Sequence, residues 1–413
     1  MLKALRRRIE YFDEPNEYRV LRLVRDSHTI SRTEIAQLCK LSKPTVSAIV
    51  NRFLKQGFLE PIGESESTDR GGRKRELLQF NPRAGFVIGV DVRMTECFVA
   101  VTDLNANILA KKVFSHRAGS PPDAILSEIF RAIDAYLRSK QFPLEKCVGI
   151  GVGLPGLIDR ATGVIKVADT LAGWEGVHLR ERFEERYRLP VYVENDVKAR
   201  ALSEFLFGAG KDVDNQVLLW VGDGIGAGII IDGKLLHGIT ESAGEIGYNE
   251  LGYALADAKQ FPLLYSGQRD FGEMLSDSMI ISAYREHARA PLNGSVEAVF
   301  RAAEQNESLA RELLEEVASL TSIVCINLIN TLNPELIVVG GRVAEAGTIV
   351  LDRVQQKVRA DILSAPAEAV RIVPAALRED GVILGAAGLV LYDLFKPMRR
   401  AAAQHRAQRT TLS

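Results

Sequence analysis

Apolar positions follow two different rhythms along this chain. Near the N-terminus they recur three and four residues apart, the spacing that places them on one face of a helix. Val20, Leu21 and Val24 predict a first helix over 17–25, ended by Asp26, Ser27 and His28. Ser31 followed by Glu34 is a capping box that opens a second, with Ile35, Ala36 and Leu38 as its apolar side. After a turn at Leu41 and Ser42, a third starts at Lys43 and Pro44, keeps Val46, Ile49, Val50, Phe53 and Leu54 inward, and closes at Gly57. Residues 58–62 and 75–80 then read as short strands around a polar loop whose tip is Arg70-Gly71-Gly72-Arg73-Lys74. Three helices, a tight turn before the last and a basic hairpin predict a winged helix-turn-helix over residues 1–80. In that layout the start of the third helix faces a major groove, so Ser42, Lys43, Thr45, Ser47 and Arg52 are candidate DNA contacts. Arg70, Arg73 and Lys74 sit at the wing tip, where glycines keep the hairpin thin enough for a minor groove.

From Gly85 the rhythm changes to short apolar runs bounded by glycine. Residues 86–91, 97–103 and 108–114 predict three strands, 123–139 an amphipathic helix, and 148–153 a buried strand leading into Leu154-Pro155-Gly156. The cycle recurs with strands at 217–221 and 228–231, a hairpin signal at Asp232-Gly233, a long helix over 308–332 and a strand at 336–340. A last helix spans 382–395. Two such cycles imply a duplicated α/β architecture with a cleft between lobes, lined by strand ends bearing Gly and Asp.

Charge sharpens this division. The whole chain carries 52 basic and 53 acidic residues, a net of −1 that argues against a nucleic-acid partner. Counted by segment, residues 1–80 hold 16 Lys/Arg and 11 Asp/Glu, a net of +5, which leaves −6 for the remainder. A small basic module is therefore joined to a larger acidic one. Cys39, Cys97, Cys147 and Cys325 are scattered, with no spacing suited to zinc or to a disulfide framework. The basic N-terminus lacks an apolar signal region, and no run approaches 18 apolar residues, so a cytoplasmic protein without membrane contact is expected. After Asp393 the tail, 396–413, is basic and rich in Ala, Gln and Thr, a composition that predicts disorder.

Several longer motifs carry a family resemblance. The run from Glu194-Asn195-Asp196 to Glu204, the loop from Gly222 through Asp223 to Gly228, and Ser242-Ala243-Gly244-Glu245-Ile246-Gly247 resemble the ROK family, which joins bacterial sugar kinases and sugar-responsive repressors. Residues 327–341 resemble its adenosine-side motif. The resemblance covers 85–395, and the preceding winged helix matches the repressor branch. It implies a two-lobed actin-like, RNase H-like fold of the sugar kinase type, with lobe 1 about 85–200 plus 381–395 and lobe 2 about 201–380.

It also implies site residues. Asp196 stands at the family's catalytic-base position, and Asn195, Glu245, Tyr248 and Glu273 occupy positions that contact sugar. Departures from the family pattern matter as much. Asp91-Val92-Arg93-Met94-Thr95 replaces the glycines of the first phosphate loop, and Asp223 replaces a threonine in the second. Tyr248, Leu264, Ser266 and Phe271 replace the family's zinc ligands, so neither ATP nor zinc is expected as a cofactor. The resulting expectation is a non-enzymatic regulator, most simply a repressor. It would bind operator DNA through the winged helix and a sugar in the cleft, as a homodimer or larger homo-oligomer, with Asp196 vestigial as a base. An active sugar kinase with an appended DNA-binding domain, and a regulator controlled by a partner protein, are the rival readings.

Overall fold

A computed structural model describes residues 15–64, 75–249, 261–265, 270–288, 295–345 and 348–395. Arg70, Arg73 and Lys74 of the expected wing tip, Ser266, and the 396–413 tail lie outside the described residues. The N-terminal domain consists of α1 (Pro15–Asp26), α2 (Arg32–Cys39) and α3 (Lys43–Gln56), with a three-stranded antiparallel sheet. In that sheet β3 (Glu76–Phe80) pairs with β1 (Ile30–Ser31) on one side and β2 (Leu59–Glu64) on the other. Local chemistry sets the helix ends. The Ser31 side chain accepts from the Glu34 N–H while the Glu34 carboxylate accepts from the Ser31 N–H at 2.8 Å, which closes the capping box. Ser42 caps α3 by accepting from the Thr45 N–H, and Gly57 ends it at φ 79°.

Two five-stranded sheets follow. The first has the order β10-β7-β4-β5-β6, from β4 (Phe86–Val92), β5 (Glu96–Asp103), β6 (Ile108–Ser115), β7 (Cys147–Leu154) and β10 (Val191–Asn195). The second has the order β13-β12-β11-β14-β15, from β11 (Gln216–Val221), β12 (Ile225–Ile231), β13 (Lys234–Leu235), β14 (Leu336–Gly341) and β15 (Arg371–Pro374). Each opens with an antiparallel meander and adds two parallel strands on the far side, so the lobes share one topology. Between β7 and β10 lies a small hairpin of β8 (Leu157–Asp159) and β9 (Val164–Val167). The crossovers include α4 (Pro122–Leu137) and α5 (Leu179–Tyr187) in lobe 1. Lobe 2 carries α7 (Asp277–Ala288), α8 (Val296–Glu304), α9 (Ser308–Leu332) and α10 (Thr348–Asp361). Of these α5, α7, α8 and α10, together with β10 and β15, are not among the elements expected from the sequence, although Val296, Val299, Phe300 and Ala303 give α8 helical spacing.

Two helices sit where the lobes meet. The helix α6 (Asp196–Phe207) runs directly from β10, and α11 (Gly381–Phe395) packs against it. The division expected at residue 200 falls inside α6, which packs on α11 and also on β11 and β12 of the second sheet. Backbones touch at these contacts. A Cβ on Gly385 would stand 1.9 Å from the Ala199 carbonyl oxygen, and one on Gly151 of β7 would stand 1.9 Å from that of Ala386. Buried on nearly every face, α11 is a core helix rather than an amphipathic one.

In an isolated helix Gly→Ala is favourable by roughly 1 kcal/mol. Here Gly385→Ala must push α6 away from α11, and overpacking of this kind costs about 1–3 kcal/mol. We expect a lower urea midpoint for Gly385→Ala in equilibrium unfolding; an unchanged or higher midpoint would show that the two backbones do not touch.

Candidate functional site

On the N-terminal domain, Ser42, Lys43 and Thr45 are exposed at the start of α3, and Ser47 is half-buried. The Ser42 and Thr45 hydroxyls share a hydrogen bond at 2.7 Å, so both are held in place rather than free rotors. Arg52 lies two turns further along and forms an ion pair with the buried carboxylate of Glu17, which makes it a brace between α3 and α1. Arg32 escaped the sequence reading. Its guanidinium donates to Asn51 Oδ1 at 2.9 Å and pairs with Glu76 at 3.1 Å, tying α3 to the first residue of β3. Arg32 thus links α3, which carries Lys43 and Thr45, to the strand β3.

The cleft is built around the junction of β10 with α6. Asn195 is the N-cap of α6: its Oδ1 accepts from the Lys198 N–H at 3.1 Å, and its Nδ2 donates to the Gly156 carbonyl at 3.2 Å. Half-buried Asp196 opens the helix, and desolvation raises its carboxyl above the ordinary range against the pull of Arg200 and Arg93. Facing it from lobe 2 is half-buried Glu245, likewise raised by desolvation, with Lys198 opposing and Asp196 and Asp169 adding to the shift. Its loop is pinned to β12, because the carbonyl of Gly244, at φ 94°, accepts from the Ala227 N–H at 2.7 Å and the close approach leaves no room for a side chain. Tyr248 is 68% exposed, and its hydroxyl donates to Asp169 at 3.1 Å, which is the main reason its phenol titrates above the usual value. Glu273 is exposed on the turn Phe271–Met274, whose Gly272 abuts the Gly247 backbone.

Two bridges between the lobes were not singled out from the sequence. His237 Nε2 meets Glu194 Oε2 at 2.8 Å with both side chains largely buried, and the buried Lys198 ammonium donates to the Glu241 carbonyl. Both lobe 1 partners lie inside the run that begins at Glu194, Glu194 at the end of β10 and Lys198 in the first turn of α6, so the signal was present as charge. Only the fold shows that these charges turn inward.

Beside the sugar side, the loop after β4 is filled by its own cation. Asp91 is fully buried, and its Oδ2 accepts from Arg93 Nε at 2.8 Å. The same guanidinium donates to the Glu379 carbonyl at 2.9 Å and covers the Phe98 ring at 4.1 Å. Asp91 Oδ1 is buried with no hydrogen-bond partner among the described residues, and desolvation pushes the Asp91 carboxyl up to about 6 despite the nearby Arg93 and Arg200. Across the cleft Asp223 is exposed between β11 and β12. Arg342, after β14, pairs with Asp277 and Glu297.

Residues 87–392 match the model of the ROK family, and residues 14–73 match that of the MarR family. This chain belongs to the ROK family. It is 27% identical to the xylose repressor of Caldicellulosiruptor bescii over 391 residues, covering 92% of this chain and 96% of that one. It is also 27% identical to the DNA-binding transcriptional dual regulator NagC of Escherichia coli K12 over 363 residues, covering 86% and 87%. A crystal structure of a ROK family transcriptional regulator, a homologue of the E. coli Mlc protein, superposes with a TM-score of 0.76 at 23% identity over 92% of this chain and 96% of its own. A ROK family glucokinase from Streptomyces griseus, solved with glucose and AMPPNP, gives 0.61 at 26% identity over 74% of this chain and 99% of its own. An N-terminal helix-turn-helix joined to a two-lobed ROK domain of the sugar kinase type is thus the architecture of this protein.

Within this ROK chain the positions of the family's zinc ligands do not fit a metal. Leu264 and Phe271 are buried in the apolar core of lobe 2, and the Tyr248 phenol is turned to Asp169. Among the described residues no three His, Cys, Asp or Glu side chains gather as a metal would require, and no helix is long and apolar enough to cross a membrane. At the first loop the Arg93 guanidinium is already held by Asp91 and by the Glu379 carbonyl.

Asp91 also provides a test. Its folded-state value lies above the ordinary 3.8, so the folded protein holds this proton more tightly than the unfolded chain does. Its contribution to stability therefore falls as pH rises from about 4 to about 6. Removing the guanidinium in Arg93→Met raises the carboxyl further and extends that loss to higher pH. Thermal melts at pH 5 and pH 8 should show the variant below wild type at both, with the larger deficit at pH 8; an equal deficit would mean that Arg93 does not neutralise Asp91.

Proposed function

We propose that this protein is a sugar-responsive DNA-binding transcriptional regulator of the repressor kind, and that it does not phosphorylate its sugar. The N-terminal domain binds operator duplex through Lys43, Thr45 and their neighbours, and the cleft holds a sugar among Asn195, Asp196, Glu245 and Tyr248. Carboxylates and a phenol suit such a ligand because they accept hydrogen bonds from adjacent hydroxyls. The observation that carries the non-enzymatic half of this reading is the Arg93 guanidinium seated between Asp91 and the Glu379 carbonyl. A phosphoryl-transfer site needs this ground open to polyphosphate and its metal. Asp196 keeps the position of a base but has lost its phosphate donor. The protein works without ATP or zinc, in the cytoplasm, on genes for carbohydrate uptake or metabolism. It acts as a homodimer, whose two winged helices would match a two-fold operator.

Coupling of sugar to DNA affinity is then a difference in how tightly each conformer of the two lobes binds sugar and operator. A duplex selected from a random pool by the full-length protein serves as operator probe. Anisotropy titrations with and without D-xylose, N-acetyl-D-glucosamine and D-glucose should reveal one sugar that changes operator affinity at least tenfold. Steady ADP release with any of them, abolished in Asp196→Ala, would overturn the reading in favour of a kinase.

Two substitutions separate the ends of the molecule. Lys43→Ala should weaken operator binding and lower the salt slope by about one unit while sugar affinity stays at the wild-type value. Glu245→Gln should do the reverse, leaving operator affinity intact and reducing the sugar response by about tenfold or more. A Glu245→Gln protein that responds normally shows that Glu245 lies outside the effector site.

A further inference from the structure

The helix that carries the sugar-side residues also grips the crossing between the lobes. Asp196, Arg200 and Glu204 lie four residues apart on α6 and so share one face. Arg200 Nη1 donates to the Arg378 carbonyl at 3.0 Å, and Glu204 Oε1 accepts from the Leu377 N–H at 2.7 Å. Arg93 holds the Glu379 carbonyl, and Lys111 of β6 pairs with Asp380 at 2.7 Å. Residues 377–380 join the end of lobe 2 to α11, so this crossing cannot move without α6.

From there α11 leads to the DNA-binding domain. Its Gly381, Gly385 and Gly388 seat against α6, and its last turn enters the same apolar core as Val20, Leu21, Val24 and Phe80. Phe395 ends the helix. Its ring takes the edge of Phe80 at 5.9 Å and 78°, and the Arg25 guanidinium covers its face at 4.3 Å. Two residues earlier is a second tie: the Tyr192 hydroxyl donates to Asp393 at 2.6 Å, and Tyr192 lies on β10, three residues before the α6 cap.

We propose that Phe395, clasped by Arg25 and Phe80, is the joint that passes sugar binding to the winged helix, with the Tyr192–Asp393 bond as its strut. The inference rests on the sugar-responsive reading above. Packed helices of this kind move by small shear steps between discrete arrangements, so a rigid aromatic clasp at the far end of α11 turns such a step into a rotation of the attached domain. Phe395 is a positioning residue: it touches neither sugar nor DNA.

The test uses the full-length protein and three measurements: sugar affinity by calorimetry, and operator affinity by anisotropy with and without saturating sugar. In Phe395→Leu, which keeps apolar volume but loses the ring, sugar affinity should stay within about twofold and sugar-free operator affinity within about threefold. The ratio of the two operator affinities should fall at least fivefold. Arg25→Lys keeps the charge without the planar stack and should lower the same ratio, which covers the case of a Phe395→Leu protein that does not fold. Phe183→Leu removes an equally buried ring in lobe 1, away from the joint, and should leave the ratio at the wild-type value. A wild-type ratio in both Phe395→Leu and Arg25→Lys overturns the proposal, as does an equal loss in Phe183→Leu. If the wild-type protein binds operator but no sugar alters that binding, the failure belongs to the sugar-responsive reading itself.

Discussion

Contact between two backbones governs the arrangement of this molecule. Where α6 crosses α11, the Gly385 position faces the Ala199 carbonyl with no space for a methyl group, and Gly151 of β7 meets Ala386 in the same way. Close approach without side chains fixes the separation and angle of the two helices far more tightly than an interdigitated apolar seam would. Several residues with a candidate role lie along this pair. The N-terminus of α6 bears Asn195 and Asp196, its middle holds the crossing between lobes through Arg200 and Glu204, and the end of α11 carries the aromatic contact with the winged helix.

Charge is the second constraint. The cleft brings Asp91, Asp196 and Glu245 out of water, and desolvation raises all three carboxyls. The chain supplies resident cations that oppose this shift: Arg93 on Asp91, Arg200 near Asp91 and Asp196, and Lys198 near Glu245. Those cations also reach across to backbone carbonyls of Glu379, Arg378 and Glu241. Compensation of buried charge and cohesion between lobes are thus the work of the same side chains.

Much of the local structure was legible from residue order. The capping box at Ser31 and Glu34, the Ser42 cap and the Gly57 stop each act within four residues, so their signals are carried by short stretches of sequence. Strands β4, β5, β7, β11 and β14 were visible because buried parallel and meander strands read as continuous apolar runs. By contrast β15 has four residues and alternating exposure, and α5 is mostly charged, so neither stands out in spacing. Side-chain direction was the larger gap. No local pattern shows that Arg52 pairs with Glu17, or that the Asn195 amide caps α6 and holds Gly156.

Sequence by itself determined the N-terminal helices, the long apolar strands and their order, the split between a basic N-terminal module and an acidic remainder, and the motifs that mark the ROK family. These follow from periodicity, capping chemistry and charge, which are properties of near neighbours along the chain. Tertiary structure alone decided which charges turn inward and what they hold. Arg93 and Glu379 are 286 residues apart, and Tyr192 and Asp393 are 201 apart. No local pattern records such pairings, because they exist only once two sheets of the same topology have been brought together around α6 and α11.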